Sequence, residues 1–291
     1  MAGQAARPPG LPVAGRCLVM GVINVTPDSF SDGGKWFCAQ DAIAHGIEMA
    51  RDGADIIDVG GESTRPGAVR ISQAEELRRV VPVVTALAEA GLVVSIDTMR
   101  APVAQAAINA GAKLINDVSG GLADEGMAPL IASAKVPYVV MHWRGQSVDM
   151  QSRAVYADVV GEVVAELAMR IRALTAAGVD PELLIVDPGL GFAKLPAHNW
   201  ALLSRLSEIS RLPCLGAPFP LLVGASRKRF IGRLLGQPAE DPRPFDECDD
   251  ATVALTALAA VSGAWCVRVH AVPGNADAVR IAARWRQELS P

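Results

Sequence analysis

Eight apolar, strand-like runs in this chain each end on or just before a side chain that could take part in binding or catalysis. These side chains are Asn24, Asp58, Asp97, Asn116, His142, Asp187, Ser226 with Lys228, and Arg268 with His270. Carboxylate, amide, ammonium, guanidinium and imidazole groups form hydrogen bonds to polar ligands and balance ligand charge. If the fold brings them together, they form a binding site for a polar small molecule.

The order of predicted elements supplies a reason for them to meet. Between most neighbouring runs lies an alanine-rich segment with apolar residues at three- and four-residue spacing, which is helical periodicity. The predicted strands are 17–24, 55–59, 93–97, 113–115, 136–142, 183–187, 221–224 and 266–270. A strand-then-helix unit repeated eight times predicts a single α/β domain, a (β/α)8 TIM barrel, whose active site lies at the carboxyl ends of the strands.

Helix boundaries follow from local signals. The predicted helices are 41–52, 72–90, 102–110, 128–134, 156–177, 199–210, 230–235, 251–262 and 274–289. Ser72 and Glu75 have the spacing of a capping box, and glycines after several helices predict their ends. The long loops 25–40 and 60–71 are predicted to be binding elements, and the acidic stretch 237–250 is assigned to the surface.

Composition limits the domain count and the class of partner. A chain of 291 residues with 51% hydrophobic content suits one barrel domain at 17–291, after a flexible N-terminal segment at 1–16. The net charge of −4, without long runs of one sign, predicts no nucleic-acid or membrane partner. Five cysteines without zinc or CxxC spacing, and the lack of a signal peptide or membrane span, predict a cytoplasmic protein.

Seven ordered motifs resemble those of the bacterial dihydropteroate synthase family, whose members bind a pterin. They are the segments 20–34, 58–67, 95–98, 115–121, 187–194, 224–230 and 268–270. Each lies at a predicted strand end, and the resemblance covers roughly 18–285. One short string such as Asp-Pro-Gly carries little weight, but seven matches in order are specific.

The resemblance implies an activity on the folate pathway. Members of this family condense 6-hydroxymethyl-7,8-dihydropterin pyrophosphate with p-aminobenzoate, giving 7,8-dihydropteroate and pyrophosphate. The resemblance further implies a Mg²⁺ cofactor, a homodimer formed through the later helices, and competition by sulfonamides for the p-aminobenzoate position.

Pterin recognition is assigned by the same resemblance and agrees with side-chain chemistry. Asp187 is the first candidate to accept from the pterin amino group and ring N–H, which resemble a planar guanidine. Asn116 suits the mixed ring edge, and Asp97 can accept from a further ring N–H. Lys228 is assigned to the ring carbonyl and N5, and Arg268 to the π face or the diphosphate. The implied pterin set is completed by Phe192 and Met141.

The remaining implied residues bind the diphosphate and the second substrate. The implied diphosphate set is Asn24, Arg65, Arg268 and His270, with Asn24 also a Mg²⁺ ligand. The implied p-aminobenzoate and loop set is Thr64, Arg65, Pro66, Ser226, Phe30 and Asp32. The implied catalytic set is Lys228, Arg65, Arg268 and His270, which would stabilise charge rather than act as covalent nucleophiles.

Several of these residue types also have ordinary structural roles. A strand-end aspartate often caps a helix or binds loop amides, and Asp58, beside two glycines, is interpreted as shaping the second long loop. Arg227 and Arg229 are interpreted as a solvated basic surface. His142 is interpreted as a satisfied core histidine.

Two other functions compete with the synthase interpretation. A pterin-dependent methyltransferase domain would share the barrel and the pocket, but would need a separate module carrying the methyl acceptor. A non-catalytic pterin-binding paralogue would share the fold, which does not decide activity. The presence of Asn24, Asp32, Thr64, Arg65 and Lys228 argues against it. The segment 215–219 is predicted to be an extended connection without an assigned function.

Overall fold

The computed structural model describes residues 8–26, 39–63, 70–145, 150–213, 217–236 and 242–289. Its eight strands are β1 Leu18–Asn24, β2 Ile56–Gly60, β3 Val94–Asp97, β4 Leu114–Asp117, β5 Tyr138–Met141, β6 Leu184–Asp187, β7 Leu222–Val223 and β8 Cys266–Val269. Every boundary lies within two residues of its predicted position. The strand predictions are therefore confirmed.

These strands form one parallel sheet in the order β6-β5-β4-β3-β2-β1-β8-β7. A bridge between Val186 of β6 and Leu221, next to β7, joins the two ends of the sheet. The sheet thus curls into a nearly closed barrel with helices between its strands. The predicted (β/α)8 architecture is confirmed.

Helices within the described ranges are α1 Ala39–Arg51, α2 Gln73–Glu89, α3 Ala101–Asn109, α4 Met127–Ala134, α5 Val159–Ala176, α6 Pro196–Ser204, α7 Leu206–Ser210, α8 Arg229–Leu235, α9 Asp249–Val261 and α10 Val272–Leu289. None of them is both long enough and apolar enough to cross a bilayer. Buried aliphatic side chains fill the space between this helical layer and the sheet.

Three local predictions need correction. The single helix predicted over 199–210 is two helices, because Arg205 leaves the helical conformation with φ −127° and ψ 33°. The stretch 237–250 is not wholly irregular, since it contains a short 3-10 helix at Phe245–Cys248 and the start of α9. Ser72 caps α2 by accepting from the Glu75 amide at 3.2 Å, but the Glu75 carboxylate binds Arg78 instead of completing the box.

The barrel interior changes character along the strands. Its lower part is an apolar cluster made of Leu18, Met20, Ile56, Leu114, Val139, Ile185, Leu222 and Cys266. Because side chains two positions apart share one face of a strand, the next inward residues are Asp58, Asn116, Asp187 and Arg268. An apolar plug therefore lies directly beneath a polar layer at the carboxyl ends.

Part of the segment predicted to be flexible contacts the barrel. Leu11 is buried and packs against the apolar cluster. Arg16 binds both carboxylate oxygens of Asp55, at 2.7 and 3.0 Å. Residues 1–7 lie outside the described ranges, and the division at residue 16 stays a prediction.

Candidate active site

The ends of four neighbouring strands, β3 to β6, carry predicted pterin-binding residues. β3 ends at Asp97, β6 ends at Asp187, and Asn116 lies one residue before the end of β4. Strand register places Asp97 opposite Asn116, and Met141 opposite Asp187. All four side chains are buried. The barrel thus holds them at one end, as the strand pattern predicts.

Arg268 of β8 connects this layer across the barrel. Its Nε donates to Asp58 Oδ2 at 2.6 Å, and its Nη2 donates to Asp97 Oδ2 at 2.7 Å. Two buried carboxylates therefore share one guanidinium. Burial raises the pKa of Asp97, and the adjacent Arg268 opposes that rise. A diphosphate seeking these two N–H groups would compete with carboxylates, so the geometry favours a place for Arg268 beside the pterin ring.

Asp58 has a larger part in this network than its sequence interpretation proposed. The carboxylate is fully buried, and Oδ2 accepts from Asn116 Nδ2 at 2.9 Å as well as from Arg268. Its other oxygen has no hydrogen-bond partner among the described residues. These bonds join Asp58 to the strand-end layer, and its predicted part in shaping the second loop, most of which lies outside the described residues, stays a prediction. Asp58 orients two predicted pterin-binding side chains, and leaves the Asn116 carbonyl oxygen to accept from a ligand.

Asp187 is held differently. Its Oδ1 accepts from the Gly189 amide at 2.7 Å, which fixes the plane of the carboxylate. Burial raises the pKa of Asp187, while Lys228, Lys194 and Arg268 counteract the rise through their charges. An ionised carboxylate in this position is a strong acceptor for a flat pair of N–H donors.

Lys228 and Phe192 meet at the edge of the same site. The Lys228 ammonium lies 4.2 Å from the centroid of the Phe192 ring, a cation–π distance. Burial and the charge of Arg268 lower the pKa of Lys228 to about 8. Both residues were assigned to the pterin, and the structure brings them together beside Asp187.

The turn that carries Lys228 has an unusual backbone. The preceding residue, Arg227, has φ +57°, a left-handed conformation that disfavours residues other than glycine. Its side chain binds Asp249 at the start of α9, with Nη2 and Oδ2 3.1 Å apart. Arg227 is thus a partly exposed residue, with 31% of its side chain accessible to solvent, whose charge is paired by a neighbouring helix.

Ser226 and His270 form a second polar pair at the ends of β7 and β8. Ser226 Oγ lies 2.9 Å from His270 Nδ1, and the His270 amide donates to the same oxygen at 3.3 Å. Since that oxygen accepts from the amide, its own hydrogen is available to Nδ1. That oxygen has a second lone pair and could instead accept from Nδ1–H, so the contact fits either neutral tautomer of His270. Residues assigned to different substrates thus touch each other.

Asn24 ends β1 opposite Gly60 and is half-buried. Its amide oxygen is a hard ligand suited to Mg²⁺. No group of three or more His, Cys, Asp and Glu side chains in the described ranges could by itself hold a metal ion. Asn24 would therefore supply one ligand, with substrate and water oxygens supplying the others.

The two long loops lie largely outside the described residues. The predicted site residues that fall there are Phe30, Asp32, Thr64, Arg65 and Pro66. Their assignments stay predictions. Arg100 links the described start and end of the second loop, because its side chain binds Glu62 and donates to the Ile71 carbonyl at 2.7 Å.

Two buried residues of this region were given no ligand-binding role from the sequence. Asp58 was named among the strand-end side chains, and counting from Ile56 also places it on the inner face of β2. Lys194 is also buried, although lysine is among the residues least often found inside a protein. Its motif was noted for the resemblance, but nothing in the motif indicates which way the side chain turns.

Comparison with known proteins tests the family resemblance over most of the chain. The model of the family described as "Pterin binding enzyme" matches residues 20–270. The dihydropteroate synthase of Mycobacterium leprae is 53% identical over 268 residues, covering 92% of this chain and 93% of that protein.

Solved structures agree with both fold and family. A Yersinia pestis dihydropteroate synthase with a sulfonamide drug complex has a TM-score of 0.87 and 40% identity, covering 97% of this chain and 98% of that one. The Xanthomonas albilineans dihydropteroate synthase in complex with 7,8-dihydropteroate has a TM-score of 0.80 and 40% identity, covering 95% of each chain.

Proposed function

The chain belongs to the pterin-binding enzyme family, and from this premise we propose how its strand-end pocket carries out the reaction. The protein is a transferase of folate biosynthesis. It condenses 6-hydroxymethyl-7,8-dihydropterin pyrophosphate with p-aminobenzoate and releases pyrophosphate and 7,8-dihydropteroate. The observation that carries the assignment of the pocket is a buried Asp187, held by the Gly189 amide and faced by cations.

Pterin recognition uses the fixed acceptors of the polar layer. Asp187 accepts from the pterin amino group and an adjacent ring N–H. Asn116, already donating to Asp58, accepts through its carbonyl oxygen. Asp97 accepts from a further ring N–H while it remains paired with Arg268. This pattern selects a heterocycle with several coplanar donors, because a ligand lacking them would leave buried acceptors unpaired.

The pterin ring is enclosed by apolar and cationic surfaces. Lys228 donates to the ring carbonyl and N5, and Phe192 supports the lysine from the side. The face of the Arg268 guanidinium lies over the ring, since two of its N–H groups are engaged at the edge. Met141 supplies a polarisable apolar contact.

The diphosphate lies toward Asn24, where Arg65 and His270 supply positive charge or N–H donors and Arg268 adds positive charge from beside the pterin ring. When the Ser226 hydroxyl donates to Nδ1, His270 carries its proton on Nε2 and donates it to a diphosphate oxygen. The available oxygen ligands fit Mg²⁺, since the Asn24 amide oxygen and diphosphate oxygens are hard ligands and the ion commonly keeps several waters. When bound, Mg²⁺ would stabilise the charge of the departing pyrophosphate.

Bond exchange occurs at the pterin methylene. The carbon–oxygen bond to pyrophosphate breaks, and the p-aminobenzoate nitrogen forms the new carbon–nitrogen bond and loses a proton. Departure precedes attack, because the electron-rich dihydropterin stabilises a cationic methylene. Asp97 and Asp187 help by placing negative charge beside that ring. Secondary-deuterium isotope effects at the methylene test the order, and values near unity contradict it.

The second substrate lies between the two long loops and Ser226. Thr64, Arg65, Pro66 and Ser226 border p-aminobenzoate, with Phe30 as an apolar wall and Asp32 ordering the first loop beside Arg65. Since Ser226 contacts His270, the site for p-aminobenzoate adjoins the diphosphate site. Sulfonamides would compete for this position.

Assembly as a homodimer is proposed through the last two helices. α9 and α10 pack together and carry exposed apolar side chains, namely Leu258, Val261, Ile281 and Trp285. Covering that surface with a second copy would remove it from water. Sedimentation equilibrium of wild type and Trp285→Glu tests the assembly. A cytoplasmic location stays a prediction.

One assay tests the function directly. Purified protein with Mg²⁺ and dihydropterin pyrophosphate should release pyrophosphate only when p-aminobenzoate is present, with dihydropteroate formed in equal amount by mass detection. Saturable pterin binding without product would indicate a non-catalytic paralogue. Absence of both would reject the assignment of the pocket.

A further inference from the structure

The buried cation Lys194 has no part in the proposed reaction. Lys194 follows β6 by seven residues, and its side chain is 3% exposed. Its Nζ donates to the Phe192 carbonyl at 3.0 Å and lies 3.0 Å from His142 Nδ1. The preceding residue, Ala193, has φ +48°. A strained turn therefore directs an ammonium group into the protein, where burial of a charge is costly unless a counter-charge compensates.

His142 accepts from this lysine but does not neutralise it. The imidazole Nε2 lies 2.9 Å from Glu166 Oε2, and Glu166 also binds Arg144. Burial and the charge of Lys194 lower the pKa of His142 to about 4, so the ring is neutral. Nδ1 then accepts from Lys194 while Nε2–H donates to Glu166. His142 is thus a satisfied core histidine, as predicted, and the Glu166 charge is already paired.

Asp187 supplies the counter-charge. Lys194 Nζ lies against Gly189, only 3.4 Å from where a Cβ would stand, and the Gly189 amide donates to Asp187 Oδ1 at 2.7 Å. The lysine and the carboxylate therefore flank one short turn. Burial lowers the pKa of Lys194 to about 7, and Asp187 opposes that change.

Three cations act on Asp187, and they differ in what else they do. Arg268 is bonded to Asp58 and Asp97. Lys228 faces the open side of the pocket, where the pterin carbonyl would bind. Lys194 is buried behind the Gly189 turn and bonded to the Phe192 carbonyl, so its position does not depend on a ligand.

We propose that Lys194 is a positioning residue for the pterin substrate, because its charge keeps Asp187 ionised from behind while its bond to the Phe192 carbonyl fixes the ring that packs on Lys228. This inference rests on the proposed role of Asp187 in binding the pterin. It assigns the lysine an electrostatic role separable from its packing.

The pH dependence distinguishes charge from packing. Charged or titratable groups facing Asp187 are Lys194, Lys228 and Arg268, and those facing Lys194 are His142, Arg144, Glu166, His198, Asp187 and Lys228. Removal of the Lys194 charge raises the pKa of Asp187, so its carboxylate is lost at a higher pH. Well above pH 7 wild-type Lys194 itself loses its charge, and the difference between the proteins should vanish.

The test is calorimetric binding of 6-hydroxymethylpterin from pH 5.5 to 9 by wild type and Lys194→Met. The ratio of dissociation constants cancels titration of the ligand. We expect weaker binding at pH 5.5, by up to about tenfold for each unit by which the pKa of Asp187 rises above that pH, and convergence toward pH 9. Lys113→Met, which removes an exposed lysine at the start of β4, is the matched control and should bind as wild type does.

Lys194→Gln retains hydrogen-bond donors without the charge and should show the same pH-dependent loss. It also serves if Lys194→Met does not fold, as judged by thermal unfolding. Equal weakening at every pH, or none, would overturn the inference while leaving the proposed function intact. Retention of pterin binding by Asp187→Ala would overturn the assigned site itself, and the inference with it.

Discussion

The three buried carboxylates at the barrel mouth are stabilised in two different ways. Asp58 and Asp97 bond directly to one guanidinium, Arg268, so their counter-charge is in place before a ligand binds. Asp187 accepts a backbone amide and is balanced by charges that do not bond to it directly. The first arrangement is mainly a scaffold, with Asp97 as an additional acceptor for the pterin, and the second is the main receptor for the substrate.

The largest predicted effect is on the free energy of unfolding, and it distinguishes the scaffold around Arg268 from the receptor around Asp187. Arg268→Met leaves Asp58 and Asp97 buried without their cation, so we expect a loss of about 3–5 kcal/mol in the free energy of unfolding. Lys228→Met is the matched control and should change it by about 1 kcal/mol or less, because Lys228 forms no such pair. Urea unfolding measures both. Equal losses would show that the two regions do not differ.

A second prediction concerns affinity. Asp187→Ala should weaken pterin binding at least about thirtyfold, since truncating one partner of a buried charged hydrogen bond costs about 2–5 kcal/mol. The fold should survive because Lys194, whose pKa is already lowered to about 7, can become neutral when its counter-charge is removed. Calorimetry with 6-hydroxymethylpterin and thermal unfolding measure the two properties. Binding close to that of wild type would exclude Asp187 from the receptor.

A third prediction uses pH. The pKa of Lys228 is lowered to about 8, so its positive charge is lost as the pH rises through that value. If the charged form binds the pterin carbonyl, kcat/KM for the pterin substrate should fall about tenfold for each pH unit well above 8. Lys228→Arg, which stays charged, should lose this alkaline limb even if its activity is lower. A limb retained in that variant would assign the titration to another group.

The smallest predicted effect concerns the ring that supports Lys228. Phe192→Leu removes the cation–π contact, which is worth about 0.5–1 kcal/mol at a partly exposed site, so pterin affinity should fall about two- to fivefold. Stability should change little. Titration of the purified variant measures the shift, and unchanged affinity would mean that the ring does not help to hold the lysine.

Much of the fold could be predicted from the sequence because the barrel repeats one simple pattern. Apolar runs ending in polar residues located all eight strands, and glycine marked the ends of α1, α2, α3 and α5. The break at Arg205 was missed because leucine spacing continues through it. Local composition does not report such a kink.

Most residues of the candidate site could be predicted from the sequence, but the hydrogen bonds and ion pairs among them could not. Which carboxylate pairs with Arg268 depends on side chains meeting across the barrel, 171 or 210 residues apart in sequence. Asp58 was therefore assigned to its sequence neighbours, and Lys194 was left without a role. The pairing of Arg227 with Asp249 was likewise missed, since α9 lies beside Arg227 only after folding.

Left-handed backbone at Ala193 and Arg227 has a consequence for engineering. Each is followed directly by a lysine that acts on Asp187, and together they are two of the three non-glycine residues with positive φ in the described ranges. Such conformations cost about 1–3 kcal/mol each. Glycine at 193 or 227 would relieve the strain but loosen the unfolded and folded chain alike. Selection for heat resistance at these two positions would therefore trade the stability of the fold against the placement of the two lysines in the catalytic pocket.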